Sequence, residues 1–174
     1  AIGNAAFHNP SLYKLLSGAI IPLKKCLFDI DDKTRANSAG ALGNLARNGG
    51  DLAVIISNEG IPKALLKIIL KYNINNDFSS SSPNISSART ALFSLGTMSV
   101  YNSSRNSLLK KEKDNTLPTV DDLFNAIESA NADAHAHADA DVEKKGKGKI
   151  DVDETLLKYL TRLKAKLAAT PQPY

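Results

Sequence analysis

The 174-residue chain has one cysteine, one methionine and no tryptophan, and only 6% of its residues are aromatic. A lone thiol, Cys26, cannot close an internal disulfide, which excludes a disulfide-stapled secreted module. So few aromatic residues argue against a β-sandwich, whose pleated faces are filled by aromatic and β-branched side chains. No apolar run approaches the roughly 20 residues needed to cross a bilayer. The chain also lacks an initiator methionine and opens on Ala1 within a helical pattern, so a piece of a longer protein is expected. What the sequence has instead is Ala, Leu, Asn and Ser, with 43% hydrophobic and 23% charged residues. That mixture suits one domain of helices packed through aliphatic side chains.

The net charge of +4 is unevenly placed. Residues 1–113 hold 14 Lys and Arg against 7 Asp and Glu, a net +7. Residues 114–150 hold 4 against 8, a net −4, and residues 151–174 hold 4 against 3. The basic excess is compatible with an acidic partner or a nucleic acid, but its more common explanation is a solvated surface. Asn84-Ile85-Ser86 and Asn102-Ser103-Ser104 match the short glycosylation sequon, a pattern frequent by chance. The absence of a signal peptide at this N-terminus says little about compartment, and the absence of disulfides leads us to expect an intracellular, cytoplasmic protein.

The chain repeats itself. Ala1-Ile2-Gly3-Asn4-Ala5-Ala6 aligns with Ala41-Leu42-Gly43-Asn44-Leu45-Ala46 at an offset of 40 residues, and Ser94-Leu95-Gly96-Thr97-Met98-Ser99 follows 53 further on. Pro22, Pro62 and Pro118 keep the same rhythm, spaced 40 and then 56. The excess in the later unit falls on a polar insertion at 75–87, rich in Asn and Ser. A period near 40 residues is the length of armadillo and HEAT units, two or three helices that bury their apolar faces on neighbouring units.

The grammar within a unit favours armadillo. Residues 12–17 read as a short first helix that Gly18 breaks. Pro22 then opens a second helix over 22–28, with Leu23, Cys26 and Leu27 on one face. Residues 29–32 supply turn residues and an N-cap for a long third helix over 33–47. Its Ala36, Ala39, Gly40, Leu42, Gly43 and Ala46 form a face of mostly small residues, on which a neighbouring helix can sit close. Asn48-Gly49-Gly50 ends it where positive φ is needed. The next unit follows suit with 51–58, Gly60, 62–72 and 87–100, and a further helix is expected over 117–129.

The motifs at 1–9 (AIGNAAFHN), 32–48 (DKTRANSAGALGNLARN) and 91–100 (ALFSLGTMSV) resemble the C-terminal armadillo repeats of the Fused family of serine/threonine kinases, which includes the plant two-in-one kinase. The resemblance spans residues 1–124 and resumes at 154–168. It implies a regulatory and docking region whose kinase domain lies elsewhere in the parent chain. It also implies a role in cytokinesis or cilium-linked signalling, with cytoskeletal or ciliary association. The partners it suggests are the parent kinase domain or a cytoskeletal motor.

No catalytic residue, cofactor or small-molecule substrate is expected. The glycine-rich loop, strand lysine, H-R-D and D-F-G segments of a kinase are missing from the sequence. Gly146 and Gly148 sit among lysines and read as linker. His8 stands alone, while His135 and His137 share the stretch Asp133-Ala134-His135-Ala136-His137-Ala138-Asp139. In an extended chain these alternating His and Asp would share one side and suit zinc, copper or nickel. The alanine-rich context reads instead as a low-complexity loop over 130–150, and no metal site is assigned. After it, Val152, Leu156, Leu160, Leu163 and Leu167 mark an amphipathic helix over 151–167. It either caps the repeats, the favoured reading, or seeks a partner or membrane surface.

The fold class expected is therefore all-α: an armadillo-like right-handed solenoid of about three and a half repeats over 1–129, a loop over 130–150, a cap over 151–168 and a tail over 169–174. Its groove would bind an extended peptide. In armadillo proteins an Asn in this motif commonly pairs with a ligand backbone; Asn4 and Asn44 match that position and Thr97 departs from it. Arg47, Arg89 and Lys33 read either as favouring an acidic peptide or, equally, as solvated helix ends. The alternative for both asparagines is to satisfy local backbone groups. Gly40 replaces the tryptophan expected of a nuclear-localisation-signal receptor, with Phe93 one turn before Thr97. Nucleic acid is disfavoured by acidic 114–141 and by the lack of interleaved aromatics. A stand-alone adaptor and a structural spacer remain the other readings. The serines at 79–82, with Ser86 and Ser87, are candidate phosphorylation sites or plain loop.

Overall fold

Short-range capping fixes where the central helix begins. One carboxylate oxygen of Asp31 accepts hydrogen bonds from the Thr34 backbone N–H (2.7 Å) and the Thr34 hydroxyl (2.8 Å), replacing a partner that the first helical turn lacks. These bonds, the Thr34 hydroxyl's first, hold the Asp31 carboxyl below the usual carboxylate range. The computed structural model describes residues 2–8, 10–47, 50–72, 78–110, 118–140 and 152–171, with backbone alone at 6, 7, 10, 13, 72 and 134–140.

In chain order the helices are α1 (Ile2–His8), α2 (Tyr13–Leu16), α3 (Ile20–Cys26), α4 (Asp32–Arg47), α5 (Asp51–Asn58), α6 (Ile61–Tyr72), α7 (Ile85–Met98), α8 (Asn102–Leu109), α9 (Val120–Ala140) and α10 (Glu154–Ala168). The protein is all-α: among the described residues the sole β feature is an isolated antiparallel bridge between Ser79 and Val152. Helices of like position touch one another. α1 packs on α4, α4 on α7 and α7 on α10, while α5 meets α8 and α6 meets α9. Leu42, Leu65, Leu92, Leu123 and Leu156 are fully enclosed between these layers.

Several expected boundaries are met closely. The helix expected over 33–47 begins one residue earlier, and Gly50 precedes α5 with φ of 43°, a left-handed conformation in which a side chain would be strained. Pro22 and Pro62 fall in the first turns of α3 and α6, where a missing N–H has no intrahelical acceptor to lose.

Four expectations are revised. Gly18 does not break the chain: it lies in a tight 3₁₀ turn, Ser17–Ala19, that leads straight into α3. The insertion expected over 75–87 ends earlier, because α7 starts at Ile85; residues 73–77 lie outside those described. α9 continues to Ala140, well into the segment read as a loop from 130, since alternating alanines favour helix. The extended backbone that would align His135 with His137 is therefore absent, and the lysine-glycine run at 144–149 lies outside the described residues. α8 was not read at all: Asn102-Ser103-Ser104-Arg105 has no apolar period, and it is tertiary contact with α5 and α6 that accompanies this helix.

The small face of α4 works by proximity. A Cβ added at Gly43 would lie 2.4 Å from Ser94 Oγ and 2.9 Å from Ser94 Cβ, so α7 occupies the space a side chain would need. The Ser94 hydroxyl also donates to the Ala39 carbonyl at 2.9 Å, a bond between the two helices. At the other end of this contact, buried Arg35 gathers four acceptors. Its NH1 donates to the carbonyls of Asp29 and Ile30, both at 2.8 Å, and its NH2 to Asp32 Oδ1 (3.1 Å) and Asn84 Oδ1 (2.6 Å). Asp32 Oδ1 in turn accepts from the Ser87 N–H at 3.2 Å. The start of α7 is thus capped by a side chain from α4, because Asn84 supplies no capping bond of its own.

Gly43→Ala should lower stability by about 1–2 kcal/mol net, overpacking and loss of the Ser94 bond outweighing the gain of about 1 kcal/mol in helix propensity. Urea unfolding would show this as a lower midpoint at unchanged slope; an unchanged midpoint would contradict the close approach. Arg35→Ala should cost about 2–4 kcal/mol in the same assay, because it removes a fully buried side chain and leaves Asp32 and three other part-buried acceptors without their donor.

Candidate functional site

The surface shared by α7 and α10 holds an aromatic cleft. Arg89 and Phe93 stand one helical turn apart on α7, as do Thr155 and Tyr159 on α10, so each pair lies on one face. The Phe93 and Tyr159 rings meet edge to face, with centroids 5.2 Å apart and an interplanar angle of 62°. Arg162, three residues beyond Tyr159, lays its guanidinium 4.7 Å from the Phe93 centroid. Beside this stack, Ser86, Arg89, Thr90, Phe93, Thr155 and Tyr159 line a cleft of about 330 Å³.

An ion pair closes one end. Arg89 Nε donates to Asp153 Oδ1 at 2.8 Å and its NH2 to Oδ2, a bidentate fork. The Asp153 carboxylate also accepts from the Leu156 N–H (2.9 Å), capping α10, and from the Ser80 hydroxyl (2.7 Å). Its own N–H donates to the Phe78 carbonyl at 2.9 Å. The Arg89 hydrogen bonds first, then Ser80 and the Leu156 N–H, bring the Asp153 carboxyl down to about 2, against the opposing effect of burial. The far end of α10 is held by Arg105, whose NH1 donates to the Ala169 carbonyl (2.5 Å) and NH2 to those of Lys166 and Ser99. A cation at these terminal carbonyls also complements the helix dipole.

The five residues singled out from the sequence do not converge. Asn4 is exposed on α1. Asn44 donates from Nδ2 to the Gly3 carbonyl at 3.0 Å, so it joins α4 to α1. The Thr97 hydroxyl turns back to the Phe93 carbonyl (3.2 Å) and is buried. Arg47 is exposed at the end of α4, where its carbonyl accepts from the Tyr101 hydroxyl (2.8 Å). Only Arg89 lines the cleft, and its charge is matched there by Asp153. Of the candidate phosphorylation serines, Ser79, Ser82 and Ser87 are buried, leaving Ser80, Ser81 and Ser86 at the surface. Sequence reasoning passed over Tyr159, Arg162 and Arg105, though Asp153 stands three residues before Leu156, at an N-cap spacing that was visible.

Chemically, the cleft offers aromatic edges, hydroxyls and a guanidinium face, groups that hold a side chain or backbone segment. Among the described residues no group of three His, Cys, Asp or Glu gathers as a metal would require. Nor is any described helix long and apolar enough to cross a membrane.

The depressed Asp153 carboxyl gives a signed prediction. Because its folded value lies below the unfolded 3.8, its contribution is full above about pH 4 and disappears as pH falls towards 2. Asp153→Asn should therefore be less stable than the parent by on the order of 2 kcal/mol at neutral pH. In urea unfolding at stepped pH this gap should close between about pH 4 and 2; a constant gap would deny the ion pair its role. Comparison of the chain with family models, with curated proteins and with solved structures finds no match.

Proposed function

We propose that this chain is a non-catalytic protein-binding scaffold, an armadillo-like right-handed solenoid that holds an extended peptide along its third helices. The observation that carries the reading is the succession α1, α4, α7 and α10, each packed on the next. The first three bear the motif repeated at offsets of 40 and 53 residues, so sequence period and helix packing support the same unit. The cleft between α7 and α10 is the place where such a peptide would seat a side chain, against Phe93 and Tyr159. Edge-to-face rings and a stacked guanidinium make a preformed wall, and preformed walls reduce the ordering that binding costs.

Within the same proposal, the scaffold is the C-terminal docking region of a Fused-like serine/threonine kinase in the cytoplasm. Its partner is then the parent kinase domain or a cytoskeletal motor. Support for this assignment comes from the motifs at 1–9, 32–48 and 91–100.

Panning a phage-displayed random peptide library on the purified chain tests the binding role. Enriched peptides are expected to lose roughly tenfold in affinity or more towards Phe93→Ala/Tyr159→Ala, a loss of aromatic anchors of hot-spot size. No enrichment over a blank surface, or equal affinity for the folded double variant, would overturn the reading.

A further inference from the structure

A second cleft lies away from α4, α7 and α10, among the first and second helices of the units. It encloses about 600 Å³ where the end of α3, the α5–α6 turn and α8 come together. Lys24, Lys63, Lys67 and Lys110 all line it, and among the described residues no Asp or Glu does. Lys63 Nζ donates to the Lys110 carbonyl at 2.8 Å, which fixes one ammonium across the α6–α8 side. The other three lysines make no ion pair among the described residues. Four cations of one sign around a concave surface focus a field towards anions.

Two further features narrow the ligand. Asn58 and Asn106 also line the cleft, and neither side-chain amide has a hydrogen bond among the described residues, the Asn106 backbone carbonyl accepting from the Lys110 N–H at 3.0 Å. An amide supplies both a donor and an acceptor, the pair that a peptide unit requires. Phe28, 38% exposed, and Ala64 contribute an apolar strip beside them. A nucleic acid would call for a basic stripe with several stacking rings, whereas this is a short open cleft lined, among the described residues, by one ring.

We propose that the lysine cleft is a docking site for an acidic peptide segment of a partner protein. Carboxylates pair with Lys24, Lys67 and Lys110, and the Asn58 and Asn106 amides hold the backbone. The site is separate from the α7–α10 cleft and stands or falls independently of it.

The test uses the whole chain and a fluorescein-labelled glutamate-rich peptide, read by fluorescence anisotropy beside a single-stranded oligonucleotide of equal charge. The peptide should bind, weaken as salt rises, and lose roughly tenfold in affinity towards Lys24→Gln/Lys67→Gln, which leaves the Lys63–Lys110 bond in place. Phe93→Ala/Tyr159→Ala should bind it like the parent. On the unmutated, isotopically labelled protein, the peptide should shift the amide resonances of Ser57, Asn58, Asn106 and Ser107. Equal affinity for the lysine variant, tighter binding of the oligonucleotide, or shifts confined to other surfaces would each overturn the proposal.

Discussion

Gly43 has no side chain, and Ser94 fills the space where one would be. That single exchange of volume sets how near α4 and α7 lie, and the rest of the molecule is arranged around the pair. With the backbones this close, the Ser94 hydroxyl reaches the Ala39 carbonyl, and Arg35 reaches Asn84 at the start of α7. Were the helices further apart, neither bond would form, and the Asp32 carboxylate would not cap α7. The leucines of the core then pack between helices whose separation is already determined.

α10 is held differently, by charge at its two ends and by apolar burial between. Asp153 caps its first turn and is gripped by Arg89 from α7, while Arg105 from α8 covers its last carbonyls. Leu156, Leu160 and Leu163 are buried between these clamps. This arrangement sets α10 beside α7, and it creates the Phe93–Tyr159 wall as a consequence. The aromatic cleft and the end-clamp are therefore built from the same contact.

What the sequence made legible was local. The small residues of α4, the prolines that open α3 and α6, and the leucine spacing of α10 each encode an element within a few turns, and each was found near its expected place. What was not legible depends on partners far apart in the chain. Arg35 with Asn84, Arg89 with Asp153 and Arg105 with Ala169 are separated by 49, 64 and 64 residues, and periodicity carries no trace of such pairs. The same reason explains the site. Asn44 matched a ligand-binding position by motif, yet the backbone it bonds belongs to α1. Conversely, the four lysines of the second cleft come from two helices, α3 and α6, and the residue that follows a third, α8, and only folding brings them together.

The central claim is that α4, α7 and α10 act as one stack. Native-state hydrogen exchange, resolved by residue, tests it most directly, because cooperative units open together. The account predicts that the interior amides of α10 exchange with the same opening free energy as those of α4 and α7. Amides of α10 that exchange through a separate, far less costly opening would show a loosely attached helix and contradict it.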